Sequence, residues 1–345
     1  MFYIKTIYST NRYKKLKEYF VDMSQHSFKE LSSFFEEKFN IRHFPKQPET
    51  LYDASQYLLT LGGKRIRPVM CLMACELVGN ISQDAWEVAT AIELFHNFTL
   101  IHDDIMDKAP LRRGRQTVHT KYGESTALLS GDVMLIAAYD CLRKTGVEYL
   151  PRVLEIFNKT AMQVCEGQQI DVDFEKSENV RFDQYVNMIE LKTSVLLAGS
   201  LQLGLLLGGA SLGNQQHLYE FGRNLGIAFQ VQDDYLDAFG DPEKFGKKQG
   251  GDIVANKKTF LLIQALNVCS PLQREELLTL LKENSDDKIE RILKIYEACQ
   301  LNEWAQKLKA AYLSKALSHL EEIAILSARK KPLEELAHYL LDREI

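Results

Sequence analysis

Two stretches of the sequence set carboxylates at the same spacing: Asp103-Asp104-Ile105-Met106-Asp107 and, about 130 residues later, Asp233-Asp234-Tyr235-Leu236-Asp237. In a helix, positions i and i+4 share a face, so Asp103 with Asp107 and Asp233 with Asp237 each direct two carboxylates the same way. Like charges so placed repel, by a few tenths of a kcal/mol when exposed and by more when desolvated. Both pairs follow strongly apolar turns, Phe98-Thr99-Leu100-Ile101 and Ile227-Ala228-Phe229, which predicts helix ends facing a cleft. A hard divalent cation relieves that repulsion. Mg²⁺ takes one or two carboxylates, keeps waters and accepts substrate phosphate oxygens as its remaining ligands. One acidic pair of this kind is usually a solvated helix face; two copies in apolar surroundings point to a metal-assisted phosphate chemistry.

Cations stand where a diphosphate needs them. Upstream of the first motif is Gly62-Gly63-Lys64-Arg65-Ile66-Arg67-Pro68, whose glycines permit close backbone approach to an anion and whose side chains offer charge-assisted donors. Beyond Asp107, Pro110 is expected to end the helix, and Leu111-Arg112-Arg113-Gly114-Arg115 follows as a basic loop suited to bidentate phosphate recognition. His96 lies seven residues before Asp103, about 10 Å back along a helix axis and nearly on its face, placed to donate to a second anionic group. Solvated charge or a satisfied core histidine explains any one of these residues, but not their joint flanking of DDxxD.

The elements that must carry these residues read as helices. Apolar residues recur at three- and four-residue spacing, as in Ala91, Leu94, Phe95, Phe98 and Ile101, and strand-like alternation is scarce. Eight prolines leave long uninterrupted stretches, and several, including Pro68, Pro110, Pro151, Pro242 and Pro271, fall at plausible breaks. The pattern predicts roughly a dozen helices in one continuous domain, with a capped first helix over Ser24 to Glu37. With 345 residues, 46% hydrophobic and 26% charged, overall disorder is excluded. A net charge of -5 and a pI of about 6.0 exclude the global basic field that nucleic-acid binding needs. The six cysteines are scattered and read as reduced core residues of a cytoplasmic protein. Residues Met1 to Tyr13 lack the apolar stretch of a secretory signal. Thr193 to Gly213 is uncharged over about the length of a membrane span, but its serines, Gln202 and the Gly204/Gly208 pair, spaced for close helix approach, fit a buried helix of a large bundle better.

Residues 62–68, His96 to Arg113 and Phe229 to Lys258 resemble the corresponding blocks of the trans-prenyl diphosphate synthases, the farnesyl and geranylgeranyl diphosphate synthase family. The resemblance covers the chain from about residue 25 to its end. It implies an all-α, single-domain antiparallel helical bundle around a deep central cavity, a homodimer, and three Mg²⁺ ions held with bound diphosphate. By position it makes Asp103, Asp107 and Asp233 the metal ligands, supported by Asp104, Asp234 and Asp237. It assigns Lys64, Arg65, His96 and Arg113 to isopentenyl diphosphate, and Arg112, Lys192, Gln230, Lys247 and Lys257 to the allylic diphosphate, with Thr193 beside the developing cation. Lys247 and Lys248 are interchangeable in that match.

The implied reaction is ionisation of an allylic diphosphate (dimethylallyl, geranyl or farnesyl), attack by the double bond of isopentenyl diphosphate, and proton loss. No side-chain nucleophile is required. Two other readings are a class I terpene cyclase, which carries an Asn/Ser/Glu second motif absent here, and a non-catalytic partner subunit, which would be expected to have lost aspartates or basic anchors. A growing chain would enter the cavity tail first, so a bulky residue at depth sets its length. Phe98 lies five residues upstream of Asp103, about 7.5 Å along the helix axis. A helical wheel places it roughly 140° from Asp103 and puts Thr99 nearer the cavity face, so geometry alone does not choose it. The resemblance does: short-chain enzymes often carry an aromatic residue here. A C15 to C20 product is expected, with C20 slightly favoured over longer polyprenyl chains. Residues 1–22 match no family block and are expected to be a dispensable extension of a synthase domain over 23–345.

Overall fold

The structure, a computed structural model, describes residues 25–177, 179–241, 249–283 and 285–342. The first 22 residues and Lys247 therefore lie outside the described residues, as do Ser24, Pro242 and Lys248. The chain folds as an all-α antiparallel bundle. Helix α1 spans Phe28–Phe39 and buries Leu31, Phe35 and Phe39. Its cap is Ser27, three residues later than the sequence pattern suggested: the Ser27 hydroxyl accepts from the Glu30 N–H, and the Glu30 carboxylate accepts from the Ser27 N–H at 2.8 Å.

Helices α2 (Glu49–Thr60) and α3 (Ile66–Glu76) lead to the long α4 (Gln83–Met106), which starts at a Ser82 cap and ends inside the first aspartate motif. The end comes before Pro110, because Lys108 adopts a left-handed φ of 50°. The basic stretch expected to be a loop is a hairpin of two-residue strands, β1 (Leu111–Arg112) against β2 (Arg115–Gln116). Arg113 and Gly114 at its tip have φ of 52° and 73°, the pair of positive values that a type I′ turn requires.

Short α5 (Val118–Tyr122) precedes α6 (Glu124–Leu142), which packs along α4. Next come α7 (Leu150–Lys176) and α8 (Phe182–Ile189). One π-helical turn, Glu190–Ser194, then continues without a break into α9 (Val195–Leu207). Helix α9 is buried almost all round. A Cβ on Gly204 would stand 2.0 Å from the Cys71 carbonyl oxygen, so the glycine is what lets α9 lie against α3. The segment over Phe182–Leu207 is apolar enough by length and composition to cross a membrane, yet 67% of its apolar window is covered by the bundle, as expected for a core helix.

Helix α10 (Leu212–Phe239) is the second long spine. Its first half joins the larger hydrophobic core with α1, α3, α4, α6 and α9. Its second half joins a smaller core with α8, α12 (Phe260–Val268), α13 (Pro271–Leu280), α14 (Lys288–Ala298) and the start of α15 (Leu301–Glu321). The single turn α11 (Gly251–Val254) sits beside its end, and α16 (Ser327–Leu341) closes the chain against the first core. The first aspartate motif thus projects from one core and the second from the other.

Candidate active site

The second motif faces a cleft of about 250 Å³ bordered by α7, α8, the π-helical turn, α10 and the residues after α11. Lys192, Thr193, Gln230, Asp233, Asp237 and Lys257, all singled out from the sequence, line it. The first motif reaches the same space electrostatically: Lys192, Asp107, Arg112 and Asp171 all act on the Asp103 carboxyl. Lys257 feels Asp107 and Asp171 as well as Asp252 and Asp234, so it lies between the two motifs.

Each carboxylate is differently held. Arg112, turned back by the hairpin, donates to both oxygens of the buried Asp104, Nε at 2.8 Å and Nη2 at 2.7 Å. Asp104 is therefore a support for Arg112 rather than an open ligand. The Asp103 carboxyl is pushed up to about 6, chiefly by burial, with Asp107 adding to the rise and Lys192 opposing it. In the second motif Asp234 is buried, accepts from Gln230 Nε2 at 2.8 Å and from the Tyr185 hydroxyl, and is pushed up to about 8 by burial and by Asp252. Asp237 accepts the Asp252 N–H at 2.9 Å, tying α10 to α11.

Lys192 and Thr193 sit on the π-helical turn, where Lys192 donates to Asp171 at 2.6 Å and the Thr193 hydroxyl approaches Gln230 Oε1 at 3.4 Å. The turn fits only because α7 presents Gly167 to it: a Cβ there would stand 2.2 Å from the Lys192 backbone nitrogen. Asp171 and Asp252 were missed in the sequence. Asp171 follows Gly167-Gln168 by one helical turn on α7, and Asp252 precedes Lys257 in a Gly-Gly-Asp loop. Their signal, an acidic residue spaced from a glycine, is too common to stand out.

A second cluster lies at the start of α3. His96 accepts from Arg67 Nη1 at 3.2 Å, and burial together with Arg67, Arg113 and Arg112 holds its imidazole well below the usual range. It is therefore a neutral acceptor toward Arg67 rather than the cation that a simple donor reading would suggest. Arg67 Nε is buried without a partner, and burial lowers the guanidinium to about 10. Arg113 hydrogen-bonds the Gly62 carbonyl across the Gly62–Gly63 turn. Lys64 stands exposed on the same loop. Arg65 does not join this group. Its guanidinium is only 1% exposed and fully engaged with Glu36, Glu93 and the Leu59 carbonyl, because Arg65 turns left-handed (φ 48°) and swings inward. Arg67, which the sequence reading passed over, takes the inward-facing place on the first turn of α3.

Phe98 lies on α4 one turn below the first motif, partly buried, its ring 5.5 Å from Phe95 and 4.8 Å from His102.

No three Asp, Glu, His or Cys side chains among the described residues converge as an all-protein metal cage. The donor set nevertheless fits Mg²⁺, which completes its octahedron with water and substrate phosphate: hard oxygens on facing elements, with one carboxyl raised by burial despite the nearby Lys192 and Arg112.

The model of the family described as "Polyprenyl synthetase" matches residues 48–299. The chain is 38% identical over 298 residues to a short chain isoprenyl diphosphate synthase of Methanothermobacter thermautotrophicus, covering 86% of this chain and 91% of that protein. It is 37% identical over 300 residues to a geranylgeranyl diphosphate synthase of Methanosarcina mazei, at 86% and 91% coverage. A solved geranylgeranyl pyrophosphate synthase superposes with a TM-score of 0.87 at 41% identity, over 92% of this chain and 99% of that one.

Proposed function

Because this chain belongs to the polyprenyl synthetase family and is a prenyltransferase of isoprenoid biosynthesis, we propose that it couples an allylic diphosphate (dimethylallyl, geranyl or farnesyl) head-to-tail to isopentenyl diphosphate, giving a C15 to C20 prenyl diphosphate with C20 slightly favoured. One observation carries the reading: two candidate anion sites of different construction meet at one hairpin, where Arg112 turns to the first aspartate motif and Arg113 to the Gly62 turn. One is lined by carboxylates with Lys192 and Lys257 among them; the other is a cluster of Arg67, Arg113 and His96 around a glycine turn. A reaction needing one diphosphate as leaving group and a second merely as a handle fits that asymmetry.

The family uses divalent metal ions. Asp103, Asp107 and Asp233 would hold Mg²⁺, three ions in our reading, which when bound neutralises charge on the departing diphosphate. The chain's own residues do the rest. Arg112 is preset by its bidentate bond to Asp104 and offers its remaining donors to the allylic diphosphate. Lys192, resting on Asp171, and Lys257, resting 3.7 Å from Asp252, bring cations to the same end of the substrate. Thr193 and Gln230 border the position where the allylic cation would develop. Arg67, Arg113, Lys64 and His96 would orient isopentenyl diphosphate with its double bond toward that carbon. Apolar walls further along the cavity would exclude water, and the proton lost after bond formation would pass to the released diphosphate. A cytoplasmic homodimer belongs to the same reading.

The test is incubation of the purified chain with labelled isopentenyl diphosphate, each allylic starter and Mg²⁺, followed by sizing of the products. Failure of the chain alone to form Mg²⁺-dependent condensation product would overturn the proposal. Product length is tested at Phe98: Phe98→Ala is expected to open the cavity and lengthen the products. An unchanged distribution in an active variant would place the floor elsewhere.

A further inference from the structure

The turn carrying Lys64 and leading to Arg67 is built on a charge network that centres on the buried Arg65 guanidinium and does not line the carboxylate-bordered cleft. Arg65 Nε donates to Glu36 Oε2 at 2.8 Å, Nη1 to Glu93 Oε1 at 2.5 Å, and Nη2 to the Leu59 carbonyl at 3.0 Å. Its face lies 4.9 Å above the Phe39 ring. Glu93 also accepts from Asn97 Nδ2 at 3.0 Å, and His96 is three residues further along the same helix. A left-handed backbone at a residue with a side chain is strained, and such strain persists only where the surroundings over-determine it. Here the surroundings are two carboxylates from α1 and α4, far apart in sequence, closing on one guanidinium. The backbone reversal at Arg65 sets Lys64 outward and Arg67 inward against His96.

The charge count gives the second half of the argument. Two carboxylates against one guanidinium leave a surplus negative charge beneath Arg67, Arg113 and His96. Burial lowers both arginines, and Glu93 pushes each of them back up. The surplus thus lets a cation cluster stay assembled before any anion arrives.

We propose that Glu36, Arg65 and Glu93 are positioning residues for the second diphosphate site, holding the Gly62–Arg67 turn in binding geometry, and that none of the three touches the diphosphate. The proposal rests on the prenyltransferase reading above and concerns isopentenyl diphosphate only.

The sign of the effect separates it from simpler accounts. If Arg65 were a phosphate ligand held back by its carboxylates, or if Glu93 mattered only as a repulsive charge, then Glu36→Gln and Glu93→Gln would tighten isopentenyl diphosphate binding. Positioning predicts the reverse. KM for isopentenyl diphosphate should rise about tenfold in Glu93→Gln and severalfold in Glu36→Gln, with KM for the allylic substrate within about twofold of the parent. Steady-state kinetics of the full chain with Mg²⁺ and farnesyl diphosphate, run beside thermal unfolding, reads this. Glu36 is 42% exposed, so Glu36→Gln keeps the test alive should Glu93→Gln fail to fold. A falling or unchanged isopentenyl KM in a folded variant, or an equal rise in both KM values, overturns the proposal. A parent protein that condenses nothing overturns the functional reading instead.

Discussion

Asp103 carries a burial penalty that Lys192 and Arg112 offset only in part. Its carboxyl is buried, faces Asp107 one turn on, and lies at the C-terminal end of α4, where the helix dipole already disfavours negative charge. Asp103→Ala and Asp233→Ala should each lower turnover about a hundredfold or more, or roughly 2.7 kcal/mol of transition-state stabilisation, with unchanged circular dichroism. The metal-free Asp103→Ala protein should melt no lower than the parent, since it loses a carboxyl whose charge both burial and Asp107 disfavour. An active Asp103→Ala, Asp233→Ala double variant would refute the shared metal site. These aspartates were legible because an i, i+4 pattern is local and needs no partner to be seen. Arg65 was expected at the isopentenyl diphosphate site and Arg67 was not, because the distinction depends on Glu36 and Glu93, 29 and 28 residues away, and on one left-handed backbone turn. Asp171 stayed hidden for the same reason: its partner Lys192 lies 21 residues on, across a helix break.

Periodicity made the helices legible, and α4 runs through the apolar spacing of Ala91 to Ile101. The departures from regular helix are where tertiary contact overrides local pattern. The hairpin at 111–116 is too short for alternation to register, yet it sends Arg112 to Asp104 and Arg113 to Gly62. The π-helical turn at 190–194 has no sequence signature of its own; it is shaped by the close pass of α7, and such turns recur at functional sites. Gly167 is the point of contact. An added Cβ would meet backbone atoms, the Lys192 nitrogen at 2.2 Å and the Lys192 Cα at 2.7 Å, so no side-chain rotation relieves it. Gly167→Ala should therefore displace Lys192 and Thr193 together. We expect turnover to fall by more than about tenfold and stability by about 1–3 kcal/mol, the usual cost of overpacking. KM for isopentenyl diphosphate should hold, because that site is built on α3 and α4. Unaltered turnover in Gly167→Ala would show that the turn does not position the allylic site.

For the whole molecule, the sequence showed where the apolar residues were but not what covers them all. Helix α6, over Glu124–Leu142, is apolar enough in composition to span a membrane, yet the rest of the chain covers only 39% of that window. Leu129 and Ile136, seven residues apart on one face, are 56% and 67% exposed, and Met162 on α7 is 61% exposed. Tyr139 joins the two helices through Asn158 at 2.6 Å, one turn from Met162, so the exposed residues form one patch across α6 and α7. Patches of this kind on water-facing helices mark an interface. The covering surface we expect is the same patch on a second copy, since two-fold contacts are self-complementary and the commonest in soluble assemblies. The consequence for activity follows from packing: α6 lies along α4, which carries Asp103 and Asp107, so an uncovered α6 loosens the first motif's support. Ile136→Glu places a charge at the centre of the patch, where its desolvation would be uncompensated in the pair. By sedimentation velocity it should convert a dimer of about 79 kDa, twice the 39.6 kDa chain, into monomer, with turnover reduced and helix content kept. Lys121→Glu, exposed but off the patch, should leave the dimer intact. A parent protein that sediments as monomer, or an Ile136→Glu dimer indistinguishable from it, would mean that something other than a second copy covers α6.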